Sequence, residues 1–192
     1  EFGQRQGGNA MPASFYEDSR KDSFIAAEPN ITCFAGWRAV GVAKQGQHLS
    51  SVTIYEVTTG NEMTLEAPLF SDCTGDGTIG ALAGADYRMG REGKSEFNES
   101  YAPEKPDSLV MGASVQWYSE PKRKKTTFPV FNFGLTFNEN NAEHVYKGEW
   151  TWETGMNRNQ ITDAERIRDY GLLVVFSNWS WLKNNETTKD EF

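Results

Sequence analysis

The sequence predicts an α+β fold in two parts, and three observations predict it. Three consecutive stretches rich in strand-forming residues stand before Cys73, separated by short turn sequences. A Gly-rich turn then opens into helical spacing, and the C-terminal part of the chain carries one long amphipathic stripe. A length of 192 residues suffices for one ample domain or two small ones. Hydrophobic content of 38%, with 12 Phe, 7 Tyr and 6 Trp, argues against a disordered chain, because these side chains supply bulky core material.

The elements follow in order. Residues 1–27 read as an N-terminal arm, polar and Gly-rich, poorly structured or carrying a short helix over 13–27. Strands are predicted over 31–42, 48–58 and 62–72, joined by Gln45-Gly46-Gln47 and Thr59-Gly60-Asn61, so that they form an antiparallel meander. Ile79, Leu82, Ala83 and Tyr87 have helical spacing. Residues 88–109, crowded with Gly, Pro, Glu and Lys, read as an ordered loop, and 110–118 as a strand. Pro121-Lys122-Arg123-Lys124-Lys125 reads as a solvated basic loop rather than a phosphate-binding patch. Tyr146, Trp150 and Trp152 share one face of an alternating stretch. Thr162 and Glu165 form a capping-box pattern ahead of a helix whose stripe is Ala164, Ile167, Gly171, Val174 and Trp181. One domain boundary is predicted near Arg91, dividing 28–90 from 91–192.

Composition excludes several function classes. A net charge of −8 leaves no positive excess to displace counterions, so a nucleic-acid partner is not expected. The longest purely apolar run, Leu172 to Phe176, is far short of a membrane span, and a soluble chain is expected. Two cysteines make no disulfide framework, and with two histidines they leave no expected metal site. Cys33 and Cys73 read as buried small side chains, and His48 and His144 as solvated ones. Gly112-Ala113-Ser114-Val115 is followed by Gln116 where a nucleophile elbow needs Gly. Four Asn-x-Ser/Thr sites, at Asn30, Asn98, Asn178 and Asn185, are close to what chance supplies. The start, Glu1-Phe2-Gly3-Gln4, has neither an initiator Met nor a signal-peptide core, so the chain reads as a piece of something longer and its compartment stays unread.

The most specific stretch is Asp72-Cys73-Thr74-Gly75-Asp76-Gly77-Thr78-Ile79-Gly80. As a calcium loop it places Asp72, Thr74, Asp76 and Gly77 correctly but puts Ala83 where the bidentate Glu belongs. As a first dinucleotide fingerprint it satisfies G-x-G-x-x-G with Gly75, Gly77 and Gly80. Yet Met89-Gly90-Arg91-Glu92-Gly93 follows where a second parallel strand should come. A plain Gly-rich packing turn is the third reading. The fourth uses every residue: meander, strand, Asp-x-Thr-Gly turn and helix, in that order, resemble the second flavin-binding motif of glutathione-reductase-like flavoproteins.

The resemblance extends to a bacterial branch of FAD-dependent oxidoreductases over roughly residues 28–183. It is carried by Glu28-Pro29-Asn30-Ile31-Thr32, by Ala85-Asp86-Tyr87-Arg88-Met89-Gly90-Arg91-Glu92-Gly93 and by Glu99-Ser100-Tyr101-Ala102-Pro103-Glu104. Trp152-Glu153-Thr154-Gly155 and Ile167-Arg168-Asp169-Tyr170-Gly171 belong to it too. The resemblance implies that Thr74, Gly75, Asp76 and Gly77 lie along the pyrophosphate and ribityl chain of FAD, with the Val40 backbone near the adenine. Asp72 either joins them or holds the turn through bonds to its own backbone. It also implies a partial flavin fold over 28–90, with the meander followed by a returning strand that ends at Asp72 and by a helix, and a mixed substrate-type domain over 91–192.

Members of that family begin with a βαβ unit whose Gly-rich turn grips the pyrophosphate, and nothing before Asp72 supplies one; the family's closing segment is also missing. The expectation is a central fragment, inactive alone, that binds FAD no tighter than about millimolar because few contacts oppose the ordering of a flexible ligand. Self-association through surface left uncovered is the corollary. Arg88, Arg91, Glu92 and Glu99 are the expected groups for a small-molecule substrate, with a salt-bridged surface loop as the alternative. Catalytic residues are not legible. The rival function is a non-catalytic carbohydrate-binding module that stacks sugars on Trp150 and Trp152.

Overall fold

β-Branched and aromatic residues alternate with polar ones from Trp37 to Glu66, and there the chain forms its one extensive sheet. The structure is a computed structural model that describes residues 13–148 and 152–192. It divides into two compact units, Ala13–Arg88 and Met89–Phe192. The architecture is mixed α and β.

In the first unit a 3-10 turn, Ala13–Tyr16, precedes α1 (Asp18–Ala26). β1 (Trp37–Gln45), β2 (His48–Glu56) and β3 (Glu62–Glu66) then form a three-stranded antiparallel sheet in the order β1-β2-β3, the expected meander. Gln45 pairs with His48, so the first loop is Gly46-Gln47, and Gly46 has a φ of +63°. A tight hairpin loop needs that left-handed backbone, and glycine adopts it without a Cβ clash. The core lies on the central strand: Val52 faces Val42 and Leu65, and Ile54 faces Ala39 and Met63. α2 (Thr78–Leu82) packs against β1.

Several boundaries differ from expectation. The first strand starts at Trp37 rather than at residue 31, because Gly36, at φ +78°, turns the chain just before it. The third ends at Glu66, and residues 67–73 carry no strand, so the returning flavin-fold strand expected to reach Asp72 is absent among the described residues. Pro68 gives the reason: it has no N–H to continue the ladder beyond Glu66. The helix expected to reach Tyr87 stops at Leu82, two residues before Gly84 takes a φ of +74°.

The second unit has little regular structure besides one long helix. α3 (Lys94–Phe97) is a single turn. β4 (Ala113–Ser114) pairs with β7 (Glu153–Thr154), and β5 (Trp117–Tyr118) pairs with β6 (Lys147–Gly148). The strand expected over 110–118 is thus two short pieces in separate ladders. α4 (Ala164–Asn184) buries Ile167, Gly171, Val175, Asn178 and Leu182, so the expected stripe shifts from Val174 to Val175 and from Trp181 to Leu182. The capping box is not formed. Asp163 occupies the N-cap position without a side-chain cap, and Asn159 Oδ1 instead accepts from the amides of Ile161 (2.9 Å) and Thr162 (3.0 Å).

Beside Leu182, the C-terminal half of α4 buries Ser177, Asn178 and Ser180, whose side chains satisfy a segment without secondary structure of its own. Buried backbone groups need partners. The amide and carbonyl of Glu143 form a reciprocal pair with the Asn178 carboxamide, both at 2.9 Å. Ser180 Oγ accepts from the Phe131 amide and donates to the Pro129 carbonyl, while Ser177 Oγ accepts from the Leu135 amide. Asn178 is fully buried, which removes it as a glycan acceptor in the folded chain.

Asn178→Ala removes a fully buried carboxamide and both of its bonds to the Glu143 backbone, and is expected to destabilise the chain by about 1–3 kcal/mol. Urea unfolding measures it, with Asn184→Ala, at an exposed position, expected to cost clearly less.

Candidate cofactor site

The turn that follows residues 67–73 is built on one carboxylate. Asp72 Oδ1 accepts from the Thr74 amide (3.0 Å) and the Thr74 hydroxyl (2.6 Å), while Oδ2 accepts from the Gly80 amide (2.9 Å). Thr74 Oγ1 in turn accepts from the Thr78 amide at 2.8 Å. One acidic side chain therefore ties residue 74 to residue 80 across the start of α2. The Thr74 hydroxyl, then the Gly80 and Thr74 amides, stabilise the ionised form and hold the Asp72 carboxyl below the ordinary carboxylate value. Lys44 of β1 donates through Nζ to the Ala83 carbonyl, linking the sheet to the C-terminal end of α2.

Between these anchors the backbone is open. Gly75 (φ +90°) and Gly77 (φ +70°) are left-handed, and no atom lies within 4 Å of where a Cβ would sit on either. The amides of Gly75, Asp76 and Gly77 make no hydrogen bond among the described residues. Consecutive free N–H groups in a turn with left-handed glycines form a concavity that suits anionic oxygens. A diphosphate and a polyol chain carry such oxygens, so the residues present fit an FAD-like group. Asp72 is the scaffold of this turn, with both of its oxygens engaged inside it.

Val40 lies on β1 between Ala39, which faces Ile54, and Gly41, which faces Thr53. It is the extra residue of a β-bulge, and a bulge leaves its extra residue out of the ladder. The expected substrate residues are placed differently. Arg91 is committed to Asp107: Nε donates to both carboxylate oxygens at 3.1 Å, Nη2 bonds Oδ2, and the two backbones form an antiparallel bridge. That pairing holds Asp107 below and Arg91 above their ordinary values. Gly90 cements it, since a Cβ there would meet the Asp107 carbonyl oxygen at 2.0 Å. The salt-bridged loop thus describes Arg91. Glu92 and Glu99 are exposed in the same unit, whereas Arg88 ends the first unit. Asp107 carried no sequence signal, because it pairs across sixteen residues of irregular chain.

Cys33 and Cys73 are exposed rather than buried; the first precedes β1 and the second lies in the open turn, 3.5 Å from Ser71 Oγ. Trp152 stacks on Trp117 at 5.8 Å, and Trp117 meets Trp179 edge-on at 5.7 Å, so these rings cover one another. Trp150 lies outside the described residues. The basic run is exposed, with Lys122 paired to Glu120 and Lys125 to Asp190, each at 2.8 Å. No helix of the described residues is long and apolar enough to cross a membrane.

Because Asp72 titrates below its unfolded value of about 3.9, its stabilisation of the turn is complete above that pH and is lost as pH falls through the folded value. An NMR titration of the Asp72 side-chain carbonyl is expected to show a midpoint below 3.9, with the Thr74 and Gly80 amide shifts moving in step. In Asp72→Asn those two amides are expected to lose this acid transition.

Neither a curated protein nor a solved structure matches the chain significantly. A family model described as FAD dependent oxidoreductase matches residues 18–189, which takes in the Asp72 turn, the sheet and α4. That span is most of the sequence, and the chain therefore belongs to the FAD-dependent oxidoreductase family.

Proposed function

We propose that the chain contributes part of the FAD site of a flavin oxidoreductase. In this reading the amides of Gly75, Asp76 and Gly77 lie along the pyrophosphate and ribityl chain, and the bulged backbone of Val40 lies near the adenine. The observation that carries it is the unengaged run of three amides beside two left-handed glycines, held open by Asp72. The sequence order of meander, turn and helix supports placing this as the second flavin motif of a glutathione-reductase-like fold. The chemistry supplied by FAD in such an enzyme is two-electron redox chemistry, hydride acceptance from a small molecule. The contribution of this chain is to bind and orient: fixed backbone dipoles meet the phosphates without reorganisation, and glycine lets them approach.

Among the described residues no βαβ unit with a Gly-rich turn is present. The contacts on offer among them are few, and binding of FAD no tighter than about millimolar is expected from this chain alone.

Gly77→Ala tests the assignment, with Gly84→Ala as its control. Both glycines have positive φ and open space at Cβ, so their backbone penalties are alike, roughly 1 kcal/mol. Only Gly77 lies in the proposed contact. Saturation-transfer signals from FAD are expected to fall at least fivefold in Gly77→Ala and to persist in Gly84→Ala. Equal signals in the two variants contradict the reading.

A further inference from the structure

The second unit holds a cavity of about 540 Å³ between the turn that follows β7 and the first half of α4. Two segments quoted above for their family resemblance, 152–155 and 167–171, contribute to its walls, and the flavin reading uses neither. The frame is tightly fixed. The Thr154 hydroxyl donates to the Ile167 carbonyl (3.3 Å), and Gly155, at φ +79°, sits so close to Ile167 that a Cβ would fall 2.7 Å from Cγ1. The Gly155 carbonyl accepts from the Arg158 amide (3.0 Å) and the Gln160 carboxamide (2.8 Å), closing the turn.

Arg158 and Arg166 both line this cavity. In a chain of net charge −8, Arg91, Lys125 and Arg168 each hold a carboxylate, yet neither Arg158 nor Arg166 does so among the described residues. The cavity's one carboxylate, Asp169, is engaged by Arg168 at 2.7 Å. Two arginines that hold no carboxylate thus line a concave site whose one acidic group is already paired. A guanidinium presents a planar fork that matches a carboxylate in two parallel hydrogen bonds. Tyr170 and Leu173 supply apolar surface beside them. The volume lies in the range of small-molecule sites.

We propose that this cavity binds a small organic carboxylate, its charged end held by Arg158 and Arg166 and its apolar body against Tyr170 and Leu173. The site stands independently of the flavin reading, and its test uses no flavin.

The experiment is an NMR titration of the full chain with sodium benzoate, benzyl alcohol and inorganic phosphate, following backbone amides and arginine Nε–H signals. Benzoate is expected to give saturable shifts centred on Gly155, Arg158 and Arg166, and benzyl alcohol none. Phosphate, which lacks an apolar body, is expected to bind more weakly than benzoate. The double variant Arg158→Gln/Arg166→Gln is expected to weaken benzoate at least tenfold with the amide spectrum otherwise retained, and Arg123→Gln, exposed and outside this cavity, to leave it unchanged. The proposal is overturned by absence of saturable benzoate shifts, by equal binding of benzyl alcohol, by tighter binding of phosphate, or by a double variant that binds as the parent does.

Discussion

Asp72 spends both carboxylate oxygens inside one turn, and whatever that turn offers a ligand depends on this. A Gly-rich loop has many conformations, and ordering it costs more backbone entropy than any other composition. Three hydrogen bonds to one ionised side chain, two from Thr74 and one from Gly80, offset that cost and fix where the loop begins and where α2 starts. Charge-assisted bonds are the stronger kind, which is why an acid serves here where a neutral Asn would hold less firmly. The Gly75, Asp76 and Gly77 amides remain unengaged because the acid takes the amides on either side of them.

The second unit solves a different problem with the same means. Its chain from 119 to 146 contains no helix or strand, so backbone groups there find partners on side chains. α4 provides them, its buried face combining Ile167, Val175 and Leu182 with Ser177, Asn178 and Ser180. One helix thus packs by hydrophobic burial near β4 and β7 and by hydrogen bonding further along. The same helix lends its first turns to the arginine-lined cavity.

The meander was legible because strand-forming runs and short turns are local signals, and the Asp72 turn because Asp, Thr and Gly at fixed spacing carry a mechanism. Pro68 was legible in principle as the end of β3, but the apolar pair Leu69-Phe70 invited extension of the strand beyond it. The α4 stripe slipped by one residue because a helical stripe was sought among apolar residues, whereas the buried face includes Ser and Asn. What stayed hidden depends on distant partners. Asp107 holding Arg91, Glu143 held by Asn178, and Arg158 and Arg166 lining one cavity join residues with no periodic relation. Cys73 was read as buried on residue type alone, although it sits in a turn whose value to a ligand is that it lies open.

An amide shift map of the full chain titrated with FAD is the sharpest test of the Asp72 turn as a flavin contact. The largest shifts are expected on Gly75, Asp76 and Gly77, with a smaller set around Val40, all following one weak binding curve. A saturating titration that leaves these amides in place while others move would contradict it.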